Sequence, residues 1–307
     1  MNIDDLLCIG IYDNMIFAST IDRNKTRIDG TVIEQIINGT QDFFKKLADF
    51  GINVHYLGGE TADVGDVVRT IAVNGTIAAR WPKNKLITNE KITAGNVIVG
   101  FSSSGQSAYE TTYNSGLGSN GLTSARHDIL SKWYAQQYPE TFEPSLPQQV
   151  VYIGNKKLTD TISIHQQSFT IGKLLLSPTR TYAPLVKQLL EQQFDDIYGI
   201  IHCSGGGQTK CMKYLPQPMK VVKNNLLPIP PVFQLIQQNS GADFKEMFQV
   251  FNMGHRLEIF TNEKAALRMI DIAAQLKIEA AIIGHTETAP QKELIIEGTF
   301  GAVQYTS

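Results

Sequence analysis

Apolar residues between 31 and 50 recur at helical spacing. Ile33, Ile36, Ile37, Phe43, Phe44, Leu47 and Phe50 fall mainly on one stripe, which predicts an amphipathic helix. Thr31 followed by Glu34 fits a capping box, and Gly51 fits a C-terminal stop. Residues 6–18 (LLCIGIYDNMIFA) read as a buried strand and turn, and 52–57 as a strand that ends in a glycine turn. The β-rich run 67–79 contains Asn74-Gly75, where it can fold into a hairpin. Residues 81–93 are polar and read as a linker, and 96–101 (NVIVGF) read as a buried strand running into a Ser/Gly loop. Further on, helices near 121–136, 181–192, 231–238 and 263–276 interleave with strands at 196–203, 256–260, 278–284 and 293–297. Such interleaving predicts an α/β (α+β) protein with helices covering a sheet.

A core element this close to residue 1 leads us to expect further sequence upstream, because domains rarely open inside a core element. The 307 residues are 42% hydrophobic and 18% charged, a globular balance that excludes general disorder. A net charge of −2 supplies no basic field, so no nucleic-acid or anionic-membrane partner is expected. No apolar run is long enough to span a bilayer, and no basic-then-apolar leader opens the chain. Cys8, Cys203 and Cys211 form an odd set without C-x-x-C spacing, which suits a reducing, cytoplasmic setting and offers no zinc framework.

Several short segments can carry chemistry. Asp4-Asp5 can present a carboxylate to a hard cation, or form a solvated turn. In GGETAD (58–63) the glycines permit close backbone approach, and Glu60 would emerge where α/β proteins place ligand groups; a plain turn is the alternative. SSSG (102–105) and GSNG (118–121) offer free N–H groups to an anion, with 106–117 inserted between them, or form a flexible surface loop. HCSGGG (202–207) can cradle a phosphate, with His202 as acid/base or as a structural residue. Its spacing matches neither a Walker loop nor a dinucleotide fingerprint. Arg180 in SPTR can grip phosphate or sit at the surface, and NMGHR (252–256) is a further candidate, in which Asn252-Met253-Gly254 can instead be a plain turn before a strand. His55, His127, His165 and His285 match no zinc spacing.

In order, GGETAD, SSSG, GSNG, LLLSPTRTY (174–182), HCSGGG and FNMG (251–254) resemble the motifs of the aminoimidazole ribonucleotide synthetases, the phosphoribosylformylglycinamidine cyclo-ligases of purine biosynthesis. The resemblance runs from Asp4 to about Thr286. It implies two α/β domains, 1–93 and 94–307. The first sheet would close into a barrel across a homodimer on the ATP side, and the second, a mixed sheet covered by helices, would hold the substrate phosphate. The reaction it implies consumes ATP with Mg²⁺: the formyl oxygen of formylglycinamidine ribonucleotide is phosphorylated, and the iminophosphate then closes to the imidazole.

Carried over residue by residue, Asp5 and Glu60 become metal ligands, and Gly58, Gly59, Glu60 and Thr61 nucleotide contacts. Ser119, Asn120, Arg180, Ser204, Gly205, Gly206, Gly207 and Asn252 become substrate contacts, with His202 and Asn120 catalytic. All are expected to gather around one crevice. The departures are Asp4 in place of Asn, Gly118 in place of His, the 106–117 insertion, and the absence of the family's upstream Asp-Gly-x-Gly-Thr-Lys segment. Two alternatives remain open: another ATP-dependent enzyme of the same superfamily, or a non-catalytic dimerising, ligand-binding chain.

Overall fold

The computed structural model describes residues 1–306. The first stretch comprises α1 (Asn2–Leu7), β1 (Met15–Arg23), α2 (Gly30–Ala48), β2 (Val54–Asp63) and β3 (Ile71–Ala79). It is followed by β4 (Val97–Ser102), α3 (Leu122–Ile129), α4 (Trp133–Gln137), β5 (Thr161–Ile164), β6 (Gln167–Thr170), α5 (Ile171–Leu175) and α6 (Ala183–Gln193). The remainder is β7 (Gly199–His202), α7 (Lys210–Tyr214), β8 (Met219–Lys223), α8 (Pro231–Ser240), α9 (Phe244–Val250), β9 (His255–Thr261), α10 (Glu263–Gln275), β10 (Ala280–Thr288), β11 (Glu293–Gly298) and β12 (Gly301–Thr306).

Three strands form a small sheet in the order β2-β1-β3, and seven form a mixed sheet in the order β12-β11-β8-β10-β4-β9-β7. The large sheet is covered on both faces, and the apolar side chains of its central strands alternate between two cores. Ile98 and Phe260 enter one core with Phe233 and Phe248. Val99, Leu257 and Ile259 enter the other with Leu185 and Leu189 of α6 and Met269 of α10. That second core also takes Ile3, Leu7, Met15, Phe44, Ile52 and Ile87, so the N-terminal stretch and the large sheet share one hydrophobic interior.

Several local expectations are corrected. Residues 6–18 are not a strand: α1 ends, turns at Gly10 and hands over to β1. Asp29, rather than Thr31, caps α2, its Oδ1 accepting from the N–H groups of Thr31 and Val32. Asn74-Gly75 lies inside β3, paired with Thr20 and Ser19, so no hairpin forms there. The 81–93 segment is anchored, because Ile87 and Ile92 are buried in the two cores. The predicted helix at 121–136 is two short helices, α3 and α4.

The glycine pair of GGETAD is not a turn. β2 continues through it to Asp63, and two residues, Leu57 and Gly58, oppose Ala18 in a bulge. A Cβ on Gly59 would lie 1.7 Å from the Ser19 carbonyl oxygen, so this glycine is required by strand pairing itself.

Candidate functional site

β7 ends at His202, and the chain then turns through Ser204 to Gly207. Gly206 and Gly207 have φ of 91° and 50°, conformations that favour glycine. A Cβ on Gly207 would meet the carbonyl oxygens of Phe248 and Phe251 at 2.5 and 2.6 Å, so the turn lies flat against the FNMG segment. Gln208 Nε2 fastens the two by donating to the carbonyls of Asn252 and His255 at 2.6 and 2.9 Å. Three residues beyond the glycines, Lys210 folds back and donates from Nζ to Ser204 Oγ at 2.7 Å.

Ser204 of this turn also lines a narrow slot of about 10 Å³, together with Met1, Gly118, Ser119, Asn120, Asn252 and Arg256. Ser119 N donates to Thr179 Oγ1 at 2.9 Å, which ties GSNG to SPTR. Asn120 Oδ1 and Arg256 Nε are buried there without partners. A Cβ on Gly118 would lie 2.9 Å from Arg256 Nη1, so the glycine leaves room for the guanidinium. Asn252 lines the slot, but its amide is spent on the scaffold: Oδ1 accepts from Ser103 Oγ and Gly254 N, and Nδ2 donates to the Gly116 carbonyl.

A separate hollow of about 370 Å³ is lined by Asp5, His202, Lys210, Tyr214, Ile200 and Ile201 of β7, and Ile87, Thr88 and Asn89. His202 Nδ1 lies 3.0 Å from Asp5 Oδ1. The His202 hydrogen bond holds the Asp5 carboxyl below the usual carboxylate range, against partial burial, so Asp5 is ionised and accepts. His202 therefore carries its proton on Nδ1, leaving Nε2, buried and without a partner, as an acceptor. Burial pulls the His202 pKa below its ordinary value, against the pull of Asp5, and keeps the ring neutral. Asp4 is structural. It is fully buried, and its Oδ1 accepts from Tyr182 N at 2.7 Å.

The expectation of one common crevice is corrected. The 58–61 stretch lines a separate hollow of about 280 Å³ with Ser19 and Tyr56, and neither Asn120 nor the glycine turn lines it. Asp5 and Glu60 consequently lie in different hollows, and among the described residues no group of three His, Cys, Asp or Glu residues is placed to hold a metal. With Asp5 Oδ1 already bonded to His202, these donors do not fit a shared Mg²⁺ site within one chain. Arg180 is also corrected. Its side chain is fully buried and grips Glu110 through Nε at 3.0 Å and Nη2 at 2.5 Å, while Nη1 donates to the carbonyls of Ser102 and Ser104. It ties the 106–117 insertion to SPTR and has no fork left for a phosphate.

Four charged residues were given no role of their own in the sequence reading: Lys210, Arg256, and the buried pair Lys223–Glu258. The spacing GGGQTK hinted at Lys210, since a lysine three residues past a glycine turn can fold back over it. Arg256 was visible only as part of NMGHR, and nothing local marks it as turned into a slot. Lys223 ends β8 after two valines and Glu258 sits mid-β9 between Leu257 and Ile259, and neither carried a ligand-type signal.

Fold and site together define an α/β protein with a glycine-turn cleft suited to a phosphorylated ligand. The family model described as AIR synthase related protein, C-terminal domain, matches residues 93–297, and the chain belongs to this family. A phosphoribosylformylglycinamidine cyclo-ligase of Methanococcus vannielii is 29% identical over 290 residues, covering 94% of this chain and 69% of that protein. One from Pyrococcus furiosus is 29% identical over 259 residues, covering 83% and 60%. Among solved structures, the hydrogenase maturation protein HypE of E. coli matches with a TM-score of 0.62 at 14% identity, over 100% of this chain and 77% of its own. PurL of T. maritima complexed with FGAR matches with 0.54 at 14% identity, over 98% and 40%. At these identities the structural likeness shows a shared fold.

Proposed function

We propose that this chain is an ATP-dependent cyclo-ligase that converts formylglycinamidine ribonucleotide to aminoimidazole ribonucleotide in the cytoplasm. The likeness to cyclo-ligases over 94% of the chain supports this reading. The observation that carries it is the unpartnered His202 Nε2 beside a glycine turn. Such an arrangement can hold a phosphate ester and move one proton.

In this reading ATP transfers its terminal phosphoryl group to the formyl oxygen, releasing ADP. An internal nitrogen of the resulting iminophosphate attacks the carbon, the C–O bond breaks and phosphate leaves. The attacking nitrogen must lose a proton, and His202 Nε2 accepts it while Asp5 holds the ring. Asn120 Oδ1 accepts from a substrate N–H and fixes its orientation. Ser119, Ser204 and the backbone N–H groups of Gly205, Gly206 and Gly207 hold the ribose phosphate. Gly58, Gly59, Glu60 and Thr61 belong to the nucleotide side. Mg²⁺ would neutralise nucleotide charge, yet the carboxylates of one chain do not assemble for it, and no step above depends on it.

The chain divides in this reading into lobes 1–93 and 94–307, and the small sheet makes a homodimer. On the small sheet Ile16 and Leu57 are 44% and 64% exposed. A second copy packed on this sheet would cover them and shelter the edges of β2 and β3.

Formation of aminoimidazole ribonucleotide from formylglycinamidine ribonucleotide and ATP, by this chain and by any longer natural form, tests the reading. Absence of product with both, together with ADP release on another substrate of a panel, would move the chain to a different superfamily activity. Absence of any nucleotide binding by calorimetry would leave the non-catalytic alternative.

A further inference from the structure

The C-terminal half of α2 has an aromatic face that the two cores do not use. Phe44 and Leu47 are buried in the second core, whereas Phe43, Lys46 and Phe50, successive turns of one helix face, line a cavity of about 170 Å³. The facing wall comes from the 106–117 insertion and SPTR, and Tyr109 and Tyr113 complete a set of four rings. This cavity shares no lining residue with the slot, with the hollow at His202 or with the hollow at 58–61. The proposed reaction does not use it.

Its walls are tied in place. Tyr109 Oη donates to the Thr181 carbonyl at 2.7 Å, and its ring meets Phe50 edge-on with centroids 5.7 Å apart. Asn114 Nδ2 donates to the Pro178 carbonyl at 2.8 Å and to Glu110 Oε1 at 3.0 Å. Tyr113 packs on Phe169 with centroids 5.2 Å apart. Charge then narrows the chemistry. Of the charged side chains in the lining, Arg180 and Glu110 meet at 2.5 Å and cancel. Lys46 remains. Asp42, one turn before it, pairs instead with Lys45 at 3.1 Å, and among the described residues Lys46 has no ion-pair partner. The cavity therefore holds four rings and one uncompensated positive charge.

We infer that this cavity binds a one-ring aromatic acid, with the ring among Phe43, Phe50, Tyr109 and Tyr113 and the carboxylate on Lys46. Size agrees, because a cavity of about 150 Å³ admits a benzene ring. Ring-on-ring contact favours an aromatic over a saturated ligand of the same volume, and walls already fixed lower the cost of ordering on binding. Thr111 and Thr112 line the same cavity and offer hydroxyls to a polar ring substituent. The insertion thereby gains a role: it supplies the wall that turns an exposed stretch of α2 into a pocket.

Calorimetry on the native chain tests the site with 4-hydroxybenzoate. The controls are 4-hydroxybenzyl alcohol, which lacks the charge, and cyclohexanecarboxylate, which lacks the aromatic ring. 4-Hydroxybenzoate binds at one equivalent, and each control binds weaker by about tenfold or more. Lys46 is exposed, so its replacement leaves the fold intact, with circular dichroism as the check. Lys46→Met weakens 4-hydroxybenzoate by about tenfold. Lys46→Glu reverses the preference, so that tyramine, an aromatic amine, binds in place of the acid. Phe43→Ala, which removes a ring already 38% exposed, weakens the acid without reversing the preference. No binding of 4-hydroxybenzoate, equal binding of cyclohexanecarboxylate, or native affinity in a folded Lys46→Glu chain overturns the inference. Because no residue varied here enters the proposed reaction, each outcome is independent of whether the chain forms aminoimidazole ribonucleotide.

Discussion

His202 Nδ1 and Asp5 Oδ1 are 3.0 Å apart although 197 positions separate them in sequence. One residue comes from a six-residue helix at the start of the chain and the other from the edge strand of the large sheet. The contact fixes which ring nitrogen is free, and so gives Asp5 a positioning role in place of the metal-binding role its motif suggested.

Asp5→Asn separates those two roles. With the carboxylate gone, the ring loses its orientation and the partner that raises its pKa. We expect kcat to fall on the order of a hundredfold. The acid limb of the rate profile, set by protonation of a histidine already pulled down by burial, moves to lower pH. Steady-state kinetics against pH and against Mg²⁺ measure both. A preserved kcat with a raised requirement for Mg²⁺ would restore Asp5 as a metal ligand.

Lys223 and Glu258 meet at 2.5 Å with both side chains fully buried, and His255 Nε2 lies 2.9 Å from the same carboxylate oxygen. Burial opposes the Glu258 charge, yet Lys223 and His255 hold its pKa down at about 2. Lys223→Met leaves that carboxylate uncompensated and should cost about 3–5 kcal/mol in urea unfolding. The native chain should also lose stability on acidification. Burial depresses the His255 pKa, so its contribution declines as pH falls through about 6.5, the unfolded value. The Glu258 contribution is complete above the unfolded value of about 4.3 and is lost as pH falls further. Urea midpoints measured from neutral pH downward check the sign; a midpoint that rose on acidification would contradict it.

Arg180→Lys distinguishes a scaffold arginine from a ligand arginine. A lysine cannot reproduce the fork on Glu110 together with the bonds to Ser102 and Ser104, and we expect a loss of about 2 kcal/mol in stability. Affinity for ribose 5-phosphate should stay near the native value. Thermal unfolding and calorimetry on the same sample read the two effects, and a stable protein with lost affinity would reverse the assignment.

Gly207→Ala and Gly205→Ala should behave differently. The first places a methyl 2.5 Å from the Phe248 carbonyl oxygen at a positive φ, so the turn must leave the FNMG segment and soluble, folded protein should be lost. The second meets only Asn120 Nδ2, at 3.4 Å, so the fold should persist while Asn120 shifts and substrate KM rises. Equal folding of the two variants would mean that the turn is not clamped.

Much of the architecture was legible because the large sheet and its helices are written in periodicity. α2, α6, α8 and α10, and β4, β9 and β11, fall close to where the pattern puts them. The short elements β5, β6, β8 and α9 were missed, since four to seven residues give a period little room to declare itself. The glycine turn after β7 was legible as a motif, and so was His202 at its start. The two-hollow arrangement around it was not.

Glycine content, strand ends and polar residue types are local properties, and the chain alone determined them: where strands stop, which turns need glycine, which side chains can donate, accept or titrate. Direction and partnership are not local. Gly58 and Gly59 look like a ligand-approach turn until the facing carbonyl of Ser19 is in view, and Arg180 looks like a phosphate grip until Glu110, seventy positions away, is found bonded to it. Only tertiary packing decided that Arg180 turns inward, that Arg256 turns into the slot and that Asp5 faces His202, because each charge settles where the folded chain offers it a counter-charge or leaves it a cavity.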